Sequence, residues 1–175
     1  MLPTLHESRL IAAAKQGNDA FITLIRESLL DAIGGQLDAN SLASLNGEQI
    51  TLLAYLMLRD EVMEGGFIQL IHNGLGPFIF LNPFAKAIRQ WGEGQETNTL
   101  HAFSKLVYQG RKLFEQYGDE LTKPVTDDEF MALYEQFPDF DELDDYFVEN
   151  EEAITAAIAH YTDEHLDAFI TIDKN

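Results

Sequence analysis

Residues 139–161 read DFDELDDYFVENEEAITAAIAHY, and their periodicity decides the fold. Leu143, Phe147, Ile154, Ile158 and Tyr161 recur at spacings of four, seven, four and three. At about 100° per residue, these five side chains stay within one narrow stripe of an α-helix. Asp141, Asp145, Glu149 and Glu152 fall on the opposite side, and Asp144 and Glu151 flank that side. The carboxylates therefore belong to an ordered, half-buried helix over about residues 140–160, with Asp139 placed to cap it. They do not form a loose acidic tail.

The charge around this helix is lopsided. From Pro124 to Asp173 there is no lysine or arginine, yet the stretch holds sixteen of the thirty aspartates and glutamates. It carries most of the formal charge of −19, and the remainder of the chain is close to neutral. Residues 139–152 alone hold eight acids. As helix they span about 21 Å, roughly one charge per 2.6 Å. Each strand of duplex DNA carries one charge per about 3.4 Å. Acidic faces are ordinarily just solvated faces, but ordinary surfaces mix both signs because crowded like charges destabilise a fold. Fifty residues without a counter-charge point to selection for the field itself. Such a field repels nucleic acid and anionic membrane and attracts basic surfaces. Halophilic acidity would extend over the whole chain, and the near-neutral remainder speaks against it.

Working outward, the chain reads as all-α, a single helical domain over residues 1–175 whose acidic helical part is 124–173. Leu10, Ile11 and Ala14 mark a first helix ending near Gly17. Asn18 and Asp19 are placed to cap a second, 21–33, which Gly34-Gly35 stops. A third helix follows Asn46 and meets Gly65-Gly66. The middle segment, 65–92, is apolar and punctuated by Gly and Pro, as short helices joined by tight turns would be. A long helix over 97–117 directs Leu100, Phe103, Val107, Leu113 and Phe114 inward, with Gly110 as its weak point. Thr126 and Glu129 match a capping box, with Asp127 and Asp128 in the positive first turn. Phe130, Leu133, Tyr134 and Phe137 supply that helix's buried side, and Pro138 ends it. The last apolar residues, 168–172, fit a short strand or an extended tail.

Chemical motifs are sparse. Without cysteine, disulfides, thiolate metal sites and a cysteine nucleophile are excluded. There is no phosphate-binding glycine loop, dinucleotide fingerprint or HExxH. An EF-hand loop starting at Asp141 would need glycine where Tyr146 stands. His160, Asp163, Glu164 and His165 form a compact cluster of metal-binding residue types, read first as a helix end and solvated turn. No resident metal or cofactor is expected. Neither a basic, apolar leader nor a run of about 20 apolar residues is present, so a cytoplasmic setting is expected.

Residues 61–74, EVMEGGFIQLIHNG, resemble the signature segment of a bacterial family that contains an acidic DNA-mimic protein. The matching residues are Gly65-Gly66-Phe67, Gln69 and Asn73. FDELDDYF at 140–147 is similar to the family's C-terminal segment, and FAKAIRQWGEG at 84–94 departs from its small-residue pattern. The resemblance implies a largely helical fold. It also implies an acidic surface that occupies the DNA-binding side of a transcription factor or of a histone-like protein such as HU, and a dimer.

Charge pattern and resemblance give one expectation: a non-enzymatic protein that competes with DNA for a basic DNA-binding protein. Asp141, Asp144, Asp145, Glu149, Glu151 and Glu152 form the centre of the expected binding face. Asp127, Asp128, Glu129, Asp139 and Glu142 extend it. Two alternatives share parts of this pattern, an immunity-type inhibitor of a basic nuclease and a carboxylate- or metal-dependent hydrolase. The apolar middle segment offers a surface for a homodimer. Val148 stands among the outward acids, with Ala156 and Ala159 further along, and another helix of the chain is the first candidate to cover it.

Overall fold

A computed structural model describes residues 1–175. It is all-α apart from two three-residue strands: β1 (Thr4–His6), α1 (Glu7–Gln16), α2 (Asn18–Ala32), α3 (Ala39–Ala43), α4 (Gly47–His72), α5 (Gly76–Phe80), α6 (Phe84–Gly92), α7 (Thr99–Leu121), α8 (Asp127–Gln136), α9 (Asp141–Glu164), α10 (Leu166–Phe169) and β2 (Thr171–Asp173). A 3-10 turn, Pro138–Phe140, leads into α9. No helix is long and apolar enough to cross a membrane. Two compact units divide the chain, residues 1–53 with 155–175 and residues 54–154.

In the first unit, β1 and β2 pair in parallel, with Leu5 opposite Ile172. Only the end of the apolar run 168–172 is strand: Ala168 and Phe169 belong to α10, and pairing begins at Thr171. The partner strand at the N-terminus has too short a pattern to announce itself. Gln49 is fully buried, and its amide donates to the carbonyls of Met1 and Phe169 at 2.8 and 3.0 Å. Asn46 and Gln49 cap α4 reciprocally. Helix α2 buries Phe21, Ile22, Leu24, Ile25 and Leu29. Its cap is Gly17 rather than Asn18 or Asp19, because the chain enters the helix one residue earlier. Ile11 is 49% exposed, so only Leu10 and Ala13 anchor α1.

The second unit is built on aromatic packing. Phe103 of α7 lies 5.7 Å from Tyr55, 6.2 Å from Phe84 and 5.9 Å from Phe147, ring centre to ring centre. Gly110, expected as a weak point of α7, is a packing device. A Cβ there would stand 2.9 Å from the Phe80 ring, so the missing side chain is what lets that ring approach. Leu113 and Phe114 are half-buried. The capping box at the start of α8 is complete: Thr126 Oγ1 accepts from the Glu129 N–H and Glu129 Oε2 accepts from the Thr126 N–H.

Candidate acidic interface

Helix α9 carries the predicted stripe. Leu143, Phe147, Ile154 and Ile158 are buried, and Tyr161 is half-buried. Burying a side chain of this size contributes roughly 1.5–3 kcal/mol, so the stripe fixes which side of α9 faces water.

The Gly65-Gly66 signature is a backbone corner inside α4. Gly65 (φ −149°, ψ 16°) and Gly66 (φ 75°, ψ −176°) leave helical geometry while helix continues on both sides. The Gly66 conformation is essentially restricted to glycine. The corner removes the normal acceptor of the Phe67 N–H, and Asp144 Oδ1 replaces it at 2.8 Å. Tyr134 donates its hydroxyl to the Gly65 carbonyl at 2.6 Å. Upstream, Glu61 Oε2 accepts from the side-chain amides of Gln69 at 3.0 Å and Asn73 at 2.9 Å, bracing the two halves of α4. The two segments that carry the family resemblance thus meet: Asp144 of FDELDDYF bonds to the backbone of GGF. Burial raises the Asp144 carboxyl, the Phe67 N–H pulls it down, and Asp141 and Asp145 push it up, leaving it at about 6. Burial and then the Asp144 charge raise the Tyr134 phenol.

The expected binding residues divide by environment. Asp127, Asp128, Glu129, Asp141, Glu142, Asp145, Glu149 and Glu152 are exposed. Of these, Glu129 is engaged in its capping box. Asp139 is also exposed but accepts the Tyr117 hydroxyl at 3.2 Å, so it braces α7 and leaves the start of α9 to the 3-10 turn. Asp144 and Glu151 are half-buried. Asp144 turns onto the corner of α4, and Glu151 reaches Arg59 at 3.7 Å. Their flanking position on the helix wheel is what brings both against a neighbouring helix. Val148 is 52% exposed, so no helix of this chain covers it; Ala159 is buried and Ala156 half-buried.

The same two contacts reveal residues that periodicity within one helix cannot show. Arg59 meets Glu151, and Gly66-Phe67 meets Asp144. Residue number rises along α4 as it falls along α9, so the helices run antiparallel here. Taking Arg59 and Asp144 as the contact directions, Asp60 and Glu64 on α4 and Asp145 and Glu149 on α9 lie about 100° and 140° round from them. Antiparallel helices turn those directions to the same solvent side. Asp60 and Glu64, both exposed, therefore extend the acidic face onto α4.

The HYTDEH cluster does not converge on a point. His160 and Glu164 approach to 3.4 Å along one helix side, while His165 stacks on Tyr161 and hydrogen-bonds its carbonyl at 2.8 Å. No group of three or more His, Asp or Glu side chains gathers as a metal-binding set. His72 ends α4, where its Nδ1 bonds the Leu121 carbonyl at 2.8 Å and its ring packs on Phe130.

Residues 43–165 match the model of a family described as DMP19-like protein. A relative from Neisseria meningitidis serogroup B, named DNA mimic protein DMP19, is 33% identical over 140 residues, covering 79% of this chain and 81% of the relative. The chain belongs to the DMP19-like family. The matched region contains both the α4 corner and the exposed carboxylates of α8 and α9. The family expected from the sequence is thereby shown.

Proposed function

We propose that this chain is a DNA mimic, using the exposed carboxylates of α8 and α9 to occupy the DNA-binding surface of a basic protein. The observation that carries the reading is the unneutralised row Asp141, Asp145, Glu149 and Glu152. These side chains are exposed on a helix whose opposite stripe is buried, inside the region matched to the family. A helix holds such charges at fixed spacing, as a phosphate backbone does, and the partner's arginines and lysines meet them without ordering a flexible tail. Complementary fields speed encounter, and salt weakens the complex. A transcription factor or a histone-like protein is the partner class this chemistry fits.

The test is competition. A purified histone-like protein and a panel of repressors are bound to a fluorescent DNA duplex, and the chain is titrated in at low salt. Release of the duplex by at least one of them is expected, with higher salt raising the concentration required. If every duplex stays bound at all concentrations of the chain, the reading fails. Inhibition of a basic nuclease without release of any transcription factor or histone-like protein would favour the immunity-type alternative.

A further inference from the structure

Two large apolar side chains stand exposed on the acid-bearing helices α4 and α9. Met63 is 46% exposed and Val148 is 52% exposed. Arg59–Glu151 marks one end of the shared span of these helices, and Phe67–Asp144 marks the other. Met63 lies four residues after Arg59, and Val148 four residues after Asp144. Four residues on a helix turn about 40° from the contact direction, so both side chains rise towards solvent near the middle of the span. Asp60 and Glu64 stand on the outer side of Met63, and Asp145 and Glu149 on the outer side of Val148. The order contact, acid, apolar, acid repeats on both helices at the same offsets.

We infer that Met63 and Val148 form an apolar seat within the acidic face, and that it receives an aliphatic side chain flanked by lysines or arginines on a basic protein partner. This rests on the reading of the acidic face as a partner surface. Charge complementarity chooses the occupant: an uncharged apolar partner would strand the surrounding carboxylates, and nucleic acid or an anionic membrane would be repelled by them. A basic surface with one central aliphatic group satisfies both parts of the face. Desolvated apolar contact at the centre, ringed by charge, is also where binding energy concentrates in protein interfaces. The seat gives the complex a component that salt does not screen, and it selects among basic proteins that charge alone treats alike.

The test uses two synthetic fluorescent peptides, identical lysine- and arginine-rich helices that differ only in one central residue, leucine or alanine. Binding to the full chain is followed by anisotropy from low to high salt. The leucine peptide is expected to bind about tenfold more tightly, with the ratio preserved as salt rises. In the M63Q/V148T double variant, and to a lesser degree in V148T alone, that ratio collapses towards one while the salt dependence stays as in the parent chain. An equal affinity for both peptides, or a leucine preference that survives in M63Q/V148T, would overturn the inference. Failure of the DNA-mimic reading shows elsewhere, as an absence of duplex release. Melting curves of both variants verify that these exposed substitutions leave the fold intact.

Discussion

Asp144 and Asp145 are neighbours in sequence and opposites in environment. Asp144 is half-buried, bonded to the Phe67 N–H and pushed up to about 6 by burial. Asp145 is exposed, with no hydrogen bond or ion pair to another side chain. One step of about 100° round α9 separates a carboxylate that completes the α4 corner from one that is offered to solvent. The acidic content of this protein is therefore not one property. Asp139, Glu61, Glu129, Asp144 and Glu151 make contacts within the fold, and Asp141, Asp145, Glu149 and Glu152 are open to solvent.

The structural role of Asp144 is most exposed to mutation at the α4 corner. Gly66→Ala places a side chain in a conformation that L-residues avoid, with its Cβ driven into the Asp144 carboxylate. A loss of about 3 kcal/mol or more is expected in urea unfolding, from backbone strain together with displacement of Asp144. A loss below about 1 kcal/mol would show that the corner relaxes freely and that Asp144 is not needed where it sits.

Asp144 itself gives the next largest effect. Asp144→Ala leaves the Phe67 N–H without its acceptor, whereas Asp144→Asn keeps an oxygen in place. The asparagine variant should exceed the alanine variant by about 1–2 kcal/mol. The pH dependence has a definite sign. The folded-state pKa is raised, so the stability linked to protonating Asp144 is fully present below the ordinary value of 3.8 and is lost as pH rises through about 6. Asp144→Asn removes that loss, and its melting temperature should gain on the wild type between pH 4 and pH 7. A constant difference across that range would place Asp144 with the solvated acids.

The smallest stability effect belongs to the open row. Asp145→Asn, Glu149→Gln and Glu152→Gln together should leave the urea midpoint within about 1 kcal/mol of the wild type, with relief of like-charge repulsion favouring a slight gain. A large loss would mean that these side chains are structural too, and the division between the two sets would fall.

Which side of α9 faces water is legible in the sequence, but the division among its acids is not, since Asp144 and Glu151 are expected there at the centre of the binding face. The stripe from Leu143 to Ile158 fixes the solvent side of α9, and Thr126 with Glu129 marks the start of α8, because both signals lie within a single helix. Asp144 and Glu151 fall on the flank of the helix wheel, and the wheel is blind to what stands beside it. Their partners, Phe67 and Arg59, come from α4, seventy-seven residues away in the first case. The inclusion of Asp60 and Glu64 depends on the same helix-to-helix register. Gly110 looked like a helix weakness because its role is to admit the Phe80 ring, again a tertiary matter. The α4 corner had a sequence signal, two adjacent glycines followed by Gln69 and Asn73, but its bond to Asp144 needed the fold.

The most direct test of mimicry by the open row pairs stability with binding in one variant. Wild type and D145N/E149Q/E152Q are immobilised separately and loaded with a nuclease-treated fraction of bacterial DNA-binding proteins, and retained proteins are challenged with duplex DNA. Mimicry through the open row requires that the wild type retains one or more basic proteins, that duplex DNA releases them, and that the equally well-folded triple variant retains little. Equal retention by both chains, or proteins that duplex DNA fails to release, would contradict it.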